Sequence, residues 1–414
     1  MDRVILHCDL NNFFASVECA QNERLKNYPI AVCGSIEDRH GIVLAKNELA
    51  KRHGVKTAEV IWQARQKCPG LVTVPPHMDE YIRYSRMARR IYGQYTDLIE
   101  PFGIDECWLD VTGSQRLFGS GYEIAHRIRR QIRRELGITI SVGVSFNKIF
   151  AKLGSDLKKP DAVTCITREN FHTLVWPLPV NELLGIGRAT GQKLQKYGIE
   201  CIGDIARSDP SFLRKILGKN GAELWSFASG NDIRPVGRQD EHTPAKSVGN
   251  STTCPEDLLN DWGVWRVLYQ LAESVSKRMR EQGLLAEGVQ ISVKDNTLST
   301  REFQAPLPFA SCAAKDLADL GMSLFHKNYD WKKPVRAVGI RAINLTQETE
   351  FCQYSLLYDN EKLRRLDQLE QQIYDLRHHY GDSIVFRGSL MGIAAPPPDA
   401  QYDETALPGA VFGH

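Results

Sequence analysis

The sequence has no apolar run long enough to cross a bilayer. Its 10 cysteines include no Cys-x-x-Cys pair and no Cys/His group at zinc spacing. Its formal net charge is only +2. The first absence excludes a helical membrane anchor, and the second excludes a zinc module and gives no sign of a disulfide framework. With a start that reads as a strand rather than a leader, they set the expectation of a cytoplasmic protein. The small net charge excludes little, because a nucleic-acid binder can be basic on one face alone. What is present is ordinary for a globular protein: 414 residues, 42% hydrophobic and 25% charged, enough for two to four domains.

The most informative stretch is 100–111, Glu-Pro-Phe-Gly-Ile-Asp-Glu-Cys-Trp-Leu-Asp-Val. Apolar residues flank two adjacent carboxylates, Asp105 and Glu106. Neighbouring side chains on a strand point to opposite faces, so both acids reach one site only if the backbone turns, and Gly103 permits a turn. Two acids there are costly unless a cation neutralises them. A divalent-metal site and an exposed acidic hairpin tip both fit until a third ligand is found. The run Val4–Leu10 supplies a candidate: it reads as a buried strand carrying Asp9 near its end. Asp9 could instead cap the following helix, although Asn12 is available for that. Phe13 and Phe14, at that helix start, read first as core.

The order strand, helix, strand-turn-strand, helix, strand over residues 1–166 predicts an α+β layer, with helices backing a sheet whose other face carries the acids. Within it, residues 46–53 read as a basic helix, in which Lys46 and Lys51 are either solvated or phosphate-holding. A helix is expected over 78–98, carrying Arg83, Arg86, Arg89 and Arg90. Another has Ile124, Ile128, Ile132 and Leu136 inward and Arg127, Arg130, Arg133 and Arg134 outward.

From 179 the character changes. Leu-Leu-Gly-Ile-Gly at 183–187, a helix containing Lys193, and Gly-Ile before a second helix read as a helix–hairpin–helix, whose amides bind backbone phosphate without reading bases. A polar connector follows. Beyond it strands are expected at 246–253, 287–295, 298–305 and 335–346 and helices at 258–282 and 309–326, a ferredoxin-like βαββαβ unit. Lys246, Arg301, Arg336 and Arg341 lie on or beside its strands, either as scattered surface charge or as a grip on phosphates. A charged helix at 360–380 and a Pro-rich end complete the chain.

Three segments, Asp-Leu-Asn-Asn-Phe-Phe-Ala-Ser-Val-Glu at 9–18, Ile-Asp-Glu-Cys-Trp-Leu-Asp at 104–110 and Asn-Lys-Ile-Phe-Ala-Lys at 147–152, are similar to three motifs of the Y-family DNA polymerases. The resemblance runs in order over residues 1 to about 345. It implies a right hand, with a palm at 1–10 and 76–166, fingers at 11–75, a thumb at 167–235, a linker at 236–244 and a little finger at 245–346. By motif position Asp9, Asp105 and Glu106, with the Leu10 carbonyl, would hold two Mg²⁺ ions, for which Mn²⁺ can substitute. Asp110 would be structural. Asn12, Phe13, Phe14, Lys51 and Lys159 would hold the nucleotide, and Phe14 would be the steric gate against ribose. Gly185, Gly187, Arg188 and Lys193, together with the little-finger cations Lys246, Arg301, Arg336 and Arg341, would meet DNA. Primer–template, deoxynucleoside triphosphates and a sliding clamp are the implied partners of a monomer, the clamp through Gln353, Leu356 and Leu357.

The sequence departs from the family pattern where relatives carry Tyr and Arg in the fingers. Here those positions are Glu48 and Lys51, so a bidentate guanidinium becomes a point charge. Ile42 and Leu44 are bulkier than the small residues expected over the nascent pair. Two other readings compete with a polymerase. A non-catalytic DNA-binding scaffold would lack the carboxylates, and a nucleotidyl cyclase would not explain the later domains.

Overall fold

The computed structural model describes residues 2–35, 39, 41–238, 245–347, 360–381, 384–385 and 387–390. The clamp-binding expectation for residues 353–357 and the Pro-rich end fall outside them. The chain forms two compact units, one from residues up to 34 and from 41 to 242, the other from 35–40 and 243–401.

In chain order the first unit contains β1 (Ile5–Leu10), α1 (Phe13–Gln21), β2 (Ile30–Cys33), β3 (Val43–Lys46), α2 (Glu48–Arg52), α3 (Ile61–Lys67), β4 (Val72–Val74), α4 (Met78–Tyr92), β5 (Ile99–Phe102), β6 (Glu106–Asp110), α5 (Gln115–Phe118), α6 (Gly121–Leu136), β7 (Ile140–Ser145), α7 (Lys148–Leu157) and β8 (Val163–Ile166). Five strands make its main sheet in the order β5-β6-β1-β7-β8, and β3-β2-β4 make a small separate one. The central β1 is buried along its whole length. Leu6, Cys8 and Leu10 share a core with Tyr84 and Ile91 of α4 and Ile124, Ile128 and Ile132 of α6. By strand alternation, His7 and Asp9 therefore point to the opposite face, where Ile5 packs with Trp108 and Ala151 of α7.

α7 lies close to that second face because β7 carries Gly143. A Cβ at this position would stand 1.8 Å from the Ala151 carbonyl oxygen. The helix expected over 78–98 ends earlier, at Tyr92, and residues beyond Gly93 turn towards β5. The basic helix expected at 46–53 is shorter as well, since Lys46 belongs to β3.

Five short helices follow: α8 (Phe171–Leu174), α9 (Arg188–Gln195), α10 (Ile202–Arg207), α11 (Pro210–Leu217) and α12 (Lys219–Ala228). Their core holds Leu183, Ile186, Leu194, Ile199 and Ile202, the apolar residues of the hairpin pattern. The segment after α12 returns to the main sheet. Asn147, the N-cap of α7, donates to the Gly230 carbonyl (3.2 Å), and Glu100 accepts from the Gly237 amide (2.8 Å).

The second unit contains β9 (Ser247–Leu258), α13 (Asp261–Glu281), β10 (Leu284–Asp295), β11 (Thr300–Ser311), α14 (Ala314–Asn328), β12 (Val335–Gln347) and α15 (Asn360–Tyr380). The sheet order is β11-β10-β12-β9 with every neighbour antiparallel, so each crossover through a helix skips the strand inserted between its ends. The two helices cover one face. α14 begins at Ala314 rather than near 309, because β11 continues to Ser311. α15 is fastened to the same layer through Arg280, which pairs with Asp367 (2.6 Å) and Glu370 (3.8 Å).

Candidate active site

Three carboxylates converge on the α7 face of the main sheet. Asp9 comes from β1 and is paired in register with Glu106, the first residue of β6. Asp105 sits in the tight turn between β5 and β6, where Phe102 pairs with Glu106 and Gly103 has φ +83°. This is the left-handed region that glycine enters without steric cost. The turn is held by its neighbours: the Leu10 amide donates to the Asp105 carbonyl oxygen (3.1 Å), Arg89 donates to the Gly103 carbonyl (3.3 Å), and the Ser85 hydroxyl donates to the Ile104 carbonyl. The backbone turn inferred from Gly103 is therefore present, and the exposed-tip reading is excluded, since neither acid is exposed.

Two of these three clustered acids, Asp9 and Asp105, resist ionisation. Burial, then the charge of Glu106, push Asp9 up to about 7, and the same two causes push Asp105 up to about 6. Glu106 goes the other way. Burial opposes its charge, but the His7 ring and the Lys152 ammonium outweigh it and hold the carboxyl well below the usual range. Two lysines supply compensating charge. Lys152 of α7 pairs with Glu106, and Lys159, just beyond α7, pairs with Asp9 (2.5 Å) and Asp156 (2.7 Å).

Several residues that support this arrangement were not anticipated. His7, fully buried, stands against Trp108 (centroids 5.2 Å apart) with Nδ1 2.8 Å from the Ser155 hydroxyl. Its Nε2 lies 3.1 Å from Glu106 Oε2, out of line for a hydrogen bond, and burial, then Lys152, hold the ring down at about 4. Asn11 donates to the Ser141 hydroxyl (2.9 Å) and accepts from the Asp161 amide (2.8 Å), so it grips the turn that presents Lys159. Arg129 holds the Asp161 side chain (2.7 Å) from the other side. A sequence signal existed for Arg89 and Ser85, polar residues on the otherwise apolar stripe of α4. None existed for Asn11, whose partners lie 130 and 150 residues away.

The expected nucleotide residues are placed unevenly. Phe13 is core, as its bland reading had it. Phe14 is half-buried, its ring stacked on Tyr81 at 4.2 Å and 9°. Asn12 adopts a left-handed conformation (φ 48°) and does not cap α1; its amide donates to Glu48 (2.9 Å) instead. Glu48 also lies 3.6 Å from Lys51. The departure from the family pattern therefore forms a small polar chain of its own.

In the hairpin, Gly185 is left-handed (φ +96°), Gly187 is the N-cap of α9, and Arg188 and Lys193 are exposed. In the second unit the structure separates the expected cations. Arg341 pairs with Gln290 on the sheet face away from the helices, beside Gly249, Ser251, Ser292 and Gly339. Lys294 shares that face and was not anticipated. Arg301 pairs with the core residue Val293, and its charge bears on the Tyr329 hydroxyl. Arg336 is half-buried at a bulge, and Lys246 is exposed just before β9.

The family model described as the impB/mucB/samB family matches residues 8–156, its C-terminal domain matches 245–356, and the family's HHH motif matches 168–199. A DNA polymerase IV of Acetivibrio thermocellus is 50% identical over 94% of this chain and 98% of its own length. One from Clostridium kluyveri is 36% identical over 94% and 99%, and DNA polymerase IV 1 of Bacillus subtilis is 34% identical over 94% and 93%. Among solved structures, the Y-family DNA polymerase chimera Dbh-Dpo4(243-245)-Dbh superposes with a TM-score of 0.75 at 25% identity, over 83% of this chain and 99% of that one.

Proposed function

Because the chain belongs to the Y-family DNA polymerases, alongside the bacterial DNA polymerases IV, we propose that Asp9, Asp105 and Glu106 are the centre of a template-directed, translesion nucleotidyl transfer. The observation that carries this reading is the convergence of these three carboxylates from β1 and the β5–β6 turn, with lysine ammonium groups as their counter-charges. Those acids are what a scaffold would have lost. The domains follow the same reading: palm at 1–10 and 76–166, fingers at 11–75, thumb at 167–235 and little finger at 245–346.

The family depends on divalent metal, and the donor set fits one. Among the described residues no three acidic, His or Cys side chains stand ready as a ligand cage. The donors are nevertheless all oxygen, and burial, then the charge of Glu106, disfavours the ionised form of two of the acids, Asp9 and Asp105. A hard dication relieves both penalties, and Mg²⁺ is the ion such oxygen donors suit. Two Mg²⁺ ions bound there supply charge neutralisation for the primer 3′-hydroxyl and for the leaving pyrophosphate. Asp9, Asp105 and Glu106, with the Leu10 carbonyl as a further ligand, would hold the ions.

The Phe13 and Phe14 amides, Asn12, Lys51 and Lys159 hold the triphosphate, and Phe14, braced by Tyr81, is the gate beneath the sugar. The hairpin of α9 and the open sheet face with Arg341 hold DNA backbone. The enzyme works as a cytoplasmic monomer, tethered to the sliding clamp through residues 353–357. Asp105→Ala is expected to bind primer–template normally and to lose Mg²⁺-dependent extension. Residual extension above about a tenth of wild type would remove Asp105 from the metal site.

A further inference from the structure

Lys152 and Lys159 stand where a cation is wanted. Their ammonium groups are paired with Glu106 and with Asp9 (2.5 Å), two of the carboxylates assigned above to divalent metal. A dication on those oxygens would repel both, so each lysine needs another acceptor when metal binds. The two have the same second partner. Asp156, near the end of α7, lies 2.7 Å from Lys159 through Oδ1 and 3.9 Å from Lys152 through Oδ2. It stands four residues beyond Lys152, the spacing at which side chains share one face of a helix. Among the described residues no other acid pairs with either lysine. The Asp156 side chain is 41% exposed, against 16% for Lys152 and 30% for Lys159, so it can be changed without opening a buried contact. Lys152 and Asp156 also line a cavity of about 450 Å³ between α7 and residues 181–187, which leaves the Lys152 ammonium room to turn.

We propose that Asp156 is a positioning residue for metal binding: it takes over the Lys152 and Lys159 ammonium groups when divalent ions occupy Glu106 and Asp9. Without it, the lysines would remain internal competitors of the metal. An ammonium is a compact charge on a flexible stem, so it can change acceptor by rotating its last bonds. Asp156 presents one carboxylate oxygen to each lysine, so both pairs can form together. The exchange asks for no movement of β1 and β6, whose register brings Asp9 and Glu106 side by side. This role presupposes the metal assignment of Asp9, Asp105 and Glu106, and it gives Asp156 itself no contact with metal.

The experiment uses the full chain without DNA or nucleotide. Mn²⁺, an ion that oxygen donors also suit, is titrated at constant ionic strength, and the free ion is followed by electron paramagnetic resonance. Asp156→Asn should weaken Mn²⁺ binding about fivefold, the worth of a partly exposed ion pair. Asp156→Glu keeps an acceptor and should recover most of that loss. Lys152→Met/Lys159→Met should bind Mn²⁺ more tightly than the wild type. Adding Asp156→Asn to that double variant should change the affinity less than about twofold, because the groups it acts through are gone. Unchanged affinity in Asp156→Asn alone would overturn the proposal. So would an equal loss in both backgrounds, which would mean that Asp156 attracts the ion by its own charge. Asp105→Ala in the same titration tests the assignment beneath it and should leave Mn²⁺ largely free. Wild-type binding by Asp105→Ala would remove the metal assignment and the proposal together, whereas an effect of Asp105→Ala with none of Asp156→Asn would remove the proposal alone.

Discussion

Lys159 pairs with Asp9 from a turn that Asn11, two residues after Asp9 in the chain, holds through the Asp161 amide. One side chain thus ties the position of Lys159, proposed above to hold the triphosphate, to the strand that carries Asp9. Asn11→Ala removes the acceptor for the Asp161 amide and frees the turn. It should raise the KM for deoxynucleotide about tenfold, in line with the loss of a buried hydrogen bond, with little change in kcat. Asn11→Asp keeps the acceptor but loses the donor to Ser141 and adds a buried acid beside Asp9, so it should raise KM as well. Steady-state single-nucleotide insertion measures both, and an equal fall in kcat for Asn11→Ala would assign Asn11 to the chemistry itself. No reading of the sequence alone finds this device, because its hydrogen bonds depend on β7 lying beside β1. Asp9, Asp105 and Glu106 were legible for the opposite reason: acids inside apolar strand-like runs are anomalous wherever they occur.

Elements were legible where hydrophobic period and turn residues agreed, as in β1, the β5–β6 hairpin and α6 with its capping box. They were misjudged where a local signal was overridden by position in the sheet. Pro306 and Pro308 argue against a strand, yet both lie within β11, which is an edge strand and can leave one side of its ladder unpaired. Two predictions belong at this scale. Gly143→Ala would drive a methyl into the Ala151 carbonyl, and β7 and α7 could separate only by displacing Lys152 and Ser155. It should cost about 3 kcal/mol or more in urea unfolding, beyond the usual price of a glycine replacement.

The second concerns the β10–β11 hairpin, where Asp295 accepts from the Thr297 hydroxyl and amide (2.7 and 2.8 Å) and from the Ser299 amide (3.1 Å). The Thr297 hydroxyl, against a smaller opposing effect of burial, and those amides draw its carboxyl down from 3.8 to about 2. A depressed folded value gives stability that is complete above the unfolded value and lost as pH falls from about 4 towards 2. Acid unfolding of the second unit, followed by circular dichroism, should therefore move to higher pH in Asp295→Ala. An unmoved transition would show that the turn contributes nothing to acid resistance.

At the scale of the whole molecule, charge does more to fasten the parts than the small net charge suggests. Lys148, buried against Trp108 (4.7 Å to the ring centroid) and paired with Glu100 (2.5 Å), sits where the returning segment at 230–237 meets the main sheet. In the second unit, Arg280 is held by Asp367 and Glu370, Arg377 by Glu273 (3.4 Å), and Arg387 lies over the Tyr269 ring (4.8 Å). Ending the chain at residue 359 would strip partners from Arg280, whose side chain is only 9% exposed. The calorimetric transition of the second unit should fall by several degrees while the first unit's is unaffected. A mutual shift would mean that the two units unfold together. The ferredoxin-like unit could be read from the sequence, but this fastening could not, because a charged helix far along the chain gives no sign of which arginines it will meet.

That fastening also sets an order of assembly during synthesis. Leu390 is buried among the core residues of the second unit, whereas the main sheet of the first is complete once the segment through Gly237 has returned to Glu100. Domains fold as units from the N-terminus as the chain emerges. The carboxylate site can therefore take shape while translation is still under way, and the second unit's core closes only after the ribosome has read roughly another 150 codons.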